Sequence, residues 1–159
     1  NAPVVVLADD HPLFRAALRQ AGLQVAPGAR SLEASDAEGL RGVVQSHADA
    51  DLVLLDLMMP GSRSFAELAW LRSQHPAIAV LVVSATENPD VIRQAGAFGA
   101  AGYVRKSSPL PQLVGAIRTV LDGGEWLPEV APDAGTARAE LATKLASLTP
   151  QQFRVLELL

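Results

Sequence analysis

Five side chains in this sequence have the types and places that phosphoryl chemistry needs: Asp9, Asp10, Asp56, Ser84 and Lys106. Three carboxylates drawn to one place repel each other and raise each other's pKa; a divalent cation relieves this. Ligands that are all oxygen suit Mg2+ rather than zinc or copper. A lysine beside them adds fixed positive charge and a serine adds a hydroxyl donor, so the set favours the oxygens of a phosphoryl group. One carboxylate can then be the nucleophile, as in aspartyl-phosphate chemistry. Asp56 is the candidate, because it ends the apolar run in "LVLLDLMMPG" (52–61) and is followed by a Pro-Gly turn. A carboxylate in so apolar a stretch is costly unless something satisfies it. Taken singly, each residue has a plainer reading: an Asp after a strand is often a helix N-cap, a lone Lys is usually solvated, and a Ser can cap a strand end. Their coincidence at successive strand ends selects the chemical reading.

The elements that must position them are short. The runs 4–8, 51–56, 78–85 and 102–104 are rich in Val and Leu and do not alternate, as expected of strands buried on both faces of a parallel sheet. Residues 29–35 are a weaker fifth candidate. Between and after them, helical patterns run over 12–21, 36–47, 65–74, 89–98 and 109–121. Asp36 is a good N-cap, and "GAAG" (99–102) and Gly123-Gly124 are stop signals. The order predicts an α/β fold, a doubly wound (βα)5 three-layer sandwich on a five-stranded parallel sheet of the flavodoxin type. Ligands bind outside the carboxyl ends of such strands, which puts all five residues on one rim.

Composition bounds the rest. The 159 residues are 49% hydrophobic and 19% charged, enough for a sizeable core. A net charge of -4 argues against a polycation that binds nucleic acid throughout. With no cysteine, disulfide frameworks and thiolate zinc sites are excluded, and a cytoplasmic protein is expected. No apolar run approaches the roughly 20 residues of a membrane helix, and no membrane partner is expected. Asn1 and Ala2 read as a cloning remnant and are set aside. The three histidines lack metal-ligand spacing; His47 and His75 read as helix C-terminal residues, and His11 as a loop residue beside the acidic pair.

The chain resembles a response-regulator receiver of the NarL/FixJ kind, which carries a LuxR-type helix-turn-helix. The resemblance rests on "VVLADDHPLFRAALRQ" (5–20), "LVLLDLMMPG" (52–61), "VLVVSA" (80–85), "GAAGYVRKS" (99–107), "GGEWLPE" (123–129) and "LTPQQFRVLELL" (148–159). It implies a receiver over 1–125, a linker over 126–146, and over 147–159 the truncated start of a helix-turn-helix DNA-binding domain. It implies Asp56 as phosphoacceptor, Asp9 and Asp10 as the Mg2+-holding pair, and the Met58 backbone carbonyl as a further metal ligand. Lys106 becomes the phosphate-contacting lysine, Ser84 the switch hydroxyl, and Tyr103 the switch aromatic; the alternative for Tyr103 is a half-buried strand aromatic. Met58 and Thr86 take positions that flank the phosphoryl group, and the bulky Met58 suggests slow autodephosphorylation. The implied partners are a sensor histidine kinase and a second copy in a homodimer, with DNA bound only by a longer form. The implied chain is no enzyme beyond its own phosphorylation and dephosphorylation.

One departure is "SRSF" (62–65), where Ser64 replaces the family's usual Gly and reads as an N-cap. A phosphohydrolase of the haloacid-dehalogenase type would need an acid two residues after Asp56, and Met58 stands there. A nucleotide-binding fold would need a glycine-rich loop after the first strand, which "ADDHPLF" lacks. A degenerate receiver that is never phosphorylated is the remaining alternative; the complete set of five residues argues against it.

Overall fold

The computed structural model describes residues 2–61 and 65–128. The Ser64 cap, most of the linker (126–146) and the helix-turn-helix segment (147–159) lie outside the described residues. The elements alternate as expected: β1 (Val4–Ala8), α1 (Pro12–Val25), β2 (Arg30–Ala34), α2 (Ala37–Ser46), β3 (Leu52–Leu55), α3 (Ala66–Gln74), β4 (Ala79–Ser84), α4 (Pro89–Ala97), β5 (Gly102–Arg105) and α5 (Leu110–Leu121). All strand pairs are parallel, in the order β2-β1-β3-β4-β5.

The apolar runs do not alternate because both faces of the sheet are covered. Val5, Leu7, Leu52, Leu54, Leu81 and Val83 face α1 and α5, meeting Leu18, Leu113, Ile117 and Val120. The intervening Val6, Val53, Leu55, Val80 and Val82 are as deeply buried and point the other way, toward the layer of α2, α3 and α4. That second layer contains a buried carboxylate, Glu67 of α3, paired with Arg41 of α2 at 3.0 Å. No described helix is long and apolar enough to cross a membrane.

Local chemistry sets the ends. Asp36 caps α2 by accepting the Gly39 N–H at 2.6 Å, and Asn88 caps α4 by accepting the Asp90 N–H at 2.9 Å. Proline opens α1, where its missing N–H would have had no helical partner anyway. After β3, the Pro60-Gly61 turn needs Gly61 at a φ of 79°, a region costly for other residues.

The chain departs from expectation at Trp126. The segment from residue 126 reads as linker, yet Trp126 pairs with β5: its N–H donates to the Ala101 carbonyl at 2.8 Å, and its own carbonyl accepts the Tyr103 N–H at 2.9 Å. Gly102 and Gly115 leave room for it. A Cβ on Gly102 would sit 3.0 Å from the Trp126 carbonyl oxygen and 2.7 Å from Leu81, and one on Gly115 would sit 3.3 Å from the indole.

Gly102→Ala is therefore expected to cost about 1–3 kcal/mol in urea denaturation. Gly22→Ala, inside α1 with nothing within 4 Å of the added carbon, is expected to stabilise by about 0.5–1 kcal/mol. Equal effects at the two positions would contradict this packing.

Candidate functional site

The strand order makes the site. Because β1 and β3 are neighbours, the residues that follow them share the carboxyl rim at the point where the winding reverses. Asp9 and Asp56 are each pinned by backbone: Asp9 N–H donates to the Ala34 carbonyl at 3.0 Å, and Asp56 N–H donates to the Ala8 carbonyl at 2.9 Å. Their carboxylates are 1% and 2% exposed. Lys106, one residue past β5, is held by its N–H donating to the Ser84 carbonyl at 2.8 Å.

The ammonium of Lys106 reaches back across the rim. Its Nζ lies 2.7 Å from Asp9 Oδ2 and 3.1 Å from Asp56 Oδ2. It also sits 4.8 Å from the centre of the Phe14 ring. Burial pulls the Lys106 pKa down, but contact with the two carboxylates outweighs it, and the group is held above the ordinary lysine value. The other oxygen of Asp56, Oδ1, accepts the Met58 N–H at 3.0 Å, which ties the loop after β3 to the carboxylate. The Met58 side chain is 72% exposed, so covering an acyl phosphate would require it to fold back over the rim.

Asp10 completes an acidic group. One donor atom from each of Asp9, Asp10, His11 and Asp56 lies within 4.8 Å of the others. Asp9 Oδ2 and Asp10 Oδ1 are buried and accept no hydrogen bond; only the ion-pair contacts of Lys106 and His11 face them. These two oxygens, with the Asp56 carboxylate beside them, fit a hard divalent cation such as Mg2+.

Ser84 ends β4, one strand over from Asp56, and Tyr103 lies on β5 beyond it. Ser84 is fully buried, and its Oγ accepts the Thr86 N–H at 3.3 Å. Tyr103 is also fully buried, deeper than a half-buried strand aromatic, and its hydroxyl donates to the Thr86 carbonyl at 2.9 Å. Thr86 thus touches both through its two backbone groups. Burial pushes the Tyr103 phenol pKa up, so the hydroxyl remains a donor.

Asp9, Asp10, Asp56 and Lys106 come together at the rim, with Ser84 on the neighbouring strand end. Three further residues make contacts there. His11, expected as a loop residue beside the acidic pair, lies there with its Nδ1 3.0 Å from Asp9 Oδ1, and it also comes within 3.2 Å of Lys106 Nζ. Phe14, within the helical pattern of 12–21, puts its ring 4.8 Å from the Lys106 ammonium. Arg15 donates through Nη1 to the Asp9 carbonyl at 2.7 Å and through Nε to Glu33 at 2.9 Å. The signal was helical phase, since residues 14 and 15 lie one turn beyond His11 on the same side of α1.

Comparison with known proteins places these residues in a wider set. Residues 5–118 match the model of the response regulator receiver domain. The chain is 36% identical over 162 aligned positions to the glycerol metabolism activator of Pseudomonas putida, covering 96% of this chain and 73% of that protein. It is 31% identical to the nitrate/nitrite response regulator protein NarL of Escherichia coli, covering 98% of this chain and 74% of that protein. Among solved structures, the signal receiver domain of NarL from Mycobacterium tuberculosis matches at 33% identity with a TM-score of 0.69, covering 77% of this chain and 98% of that one.

Lys106→Met leaves the buried Asp9 and Asp56 facing each other without a cation and should cost about 1.5–3 kcal/mol near neutral pH, by urea denaturation. Because the folded-state pKa of Lys106 is raised, its contribution is complete below 10.5 and fades as pH climbs through the folded value. The stability gap between wild type and variant should hold at neutral pH and narrow well above 10.5; a gap that persists there contradicts the assignment.

Proposed function

The chain belongs to the response regulator receiver family, and from that premise we propose that Asp56 accepts a phosphoryl group from a sensor histidine kinase. The observation that carries this reading is a carboxylate 2% exposed at a strand end, with one oxygen tied to the Met58 N–H and the other facing Lys106. Oδ2 of Asp56 attacks phosphorus in line; the new P–O bond forms as the bond to the donor imidazole nitrogen breaks. Lys106 balances charge on the phosphoryl oxygens, and the Ser84 hydroxyl offers one of them a hydrogen bond. Asp9, Asp10, Asp56 and the Met58 carbonyl would hold Mg2+, which when bound neutralises the incoming phosphoryl charge. Hydrolysis of the acyl phosphate returns Asp56 to its resting form, so the chain's catalysis is confined to its own phosphorylation and dephosphorylation.

The switch element in this reading is the path from Ser84 through Thr86 to Tyr103. Ser84 Oγ is engaged by the Thr86 N–H, and the Thr86 carbonyl by the Tyr103 hydroxyl. A phosphoryl group that recruits Ser84 changes the first bond and, through Thr86, the second. The output is a change in homodimerisation and, in a longer form with a complete LuxR-type helix-turn-helix, in DNA binding. We place this regulator in the cytoplasm.

Incubation with a small phosphodonor and Mg2+ should add the mass of one phosphoryl group to the wild type and none to Asp56→Asn. An unmodified wild type, or a labelled variant, would overturn the reading. Tyr103→Phe should still take up the label, lose about 1 kcal/mol of stability with its hydrogen bond, and fail to change its assembly state by light scattering on phosphorylation. A wild-type response in the Phe variant would remove Tyr103 from the switch.

A further inference from the structure

The acidic rim contains one donor that carboxylate chemistry does not explain. His11 precedes a proline, which biases it to extended backbone, and it holds a φ of -98° and a ψ of 107° at the N-cap of α1. Its side chain caps nothing in that helix. The imidazole turns back over the rim instead, with Nδ1 3.0 Å from Asp9 Oδ1 and 3.2 Å from Asp10 Oδ1.

Those separations have a chemical meaning. Neighbouring ligands on an ion with bonds of roughly 2.1 Å lie roughly 3.0 Å apart, along the edge of an octahedron. Both nitrogen–oxygen distances, here those of a hydrogen bond to Asp9 and an ion pair with Asp10, also fall near that edge. Asp9 Oδ2, on a carboxylate 1% exposed, is met by the Lys106 ammonium at 2.7 Å, so a cation already occupies that side of the carboxylate. Lys106 Nζ, 3.2 Å from His11 Nδ1, faces the same oxygens and so competes with an ion for them.

We propose that His11 is a fourth side-chain ligand of the divalent ion, through Nδ1, and that it tunes which ion the site prefers. The inference rests on the reading that Asp9, Asp10 and Asp56 hold a divalent cation. Oxygen ligands alone suit Mg2+, whereas an imidazole nitrogen adds affinity for later first-row ions such as Co2+. A carboxylate set with one nitrogen ligand would then accept Mg2+ and select, when both are offered, the more nitrogen-seeking ion.

Calorimetric titration of the full chain with Mg2+ and with Co2+ tests this on wild type, His11→Ala and His11→Gln. Thermal denaturation first confirms that the variants are folded. The expected result is a loss of about tenfold or more in Co2+ affinity in both variants, against less than about threefold for Mg2+. The visible absorption of bound Co2+ should also shift toward that of an all-oxygen site. Equal losses for the two ions would mean that His11 only positions Asp9, and no loss for either would make it a bystander; each overturns the proposal. A wild type that binds neither ion would instead defeat the cation reading itself, and the proposal with it.

Discussion

The rim depends on one ammonium group placed between two buried carboxylates. Asp9 and Asp56 are both nearly inaccessible to water, and like charges at such a site destabilise the fold unless something compensates them. Lys106 supplies that compensation at 2.7 and 3.1 Å. Its ammonium also lies 4.8 Å from the centre of the Phe14 ring, a further contact that holds the charge at the rim. The site is therefore electrostatically tense by construction: two buried carboxylates share one fixed cation.

The sheet makes this arrangement possible because it is parallel and wound in two directions. Three consecutive neighbours, β1, β3 and β4, deliver their following residues to one edge, and β5 returns Lys106 to it from the far side of β4. The register is exact enough for backbone to finish the job. The Ala34 carbonyl fixes Asp9, the Ala8 carbonyl fixes Asp56, and the Ser84 carbonyl fixes Lys106. Each charged side chain thus leaves from a main-chain atom that the neighbouring strand holds in place.

Much of this was legible in the sequence because it follows from local pattern. Unbroken Val and Leu runs mean strands covered on both faces, Asp36 marks a helix start, and a polar residue just past each run must lie at the rim. What was not legible depends on angles between elements. Helical phase puts Phe14 and Arg15 on the same side of α1 as His11, but whether that side faces the acidic pair is set by how α1 leaves β1. The burial of Glu67 was hidden for the same reason, since its partner Arg41 belongs to a different helix. Trp126 was hidden because a single bridged residue carries no periodicity, and its docking depends on distant glycines at 102 and 115. The full burial of Tyr103 exceeds that of the alternative reading, a half-buried strand aromatic, because depth is a property of the layers around it.

The Trp126 pairing has a consequence for how this molecule meets others. An outer strand normally offers its free main-chain groups to any passing strand, with little regard to sequence. Here the outward groups of Ala101 and Tyr103 are already taken by Trp126. Over that stretch a partner finds no generic backbone ladder to extend and has to be recognised by side chains instead. Recognition of that kind is carried by replaceable side chains and leaves the sheet and its register unchanged.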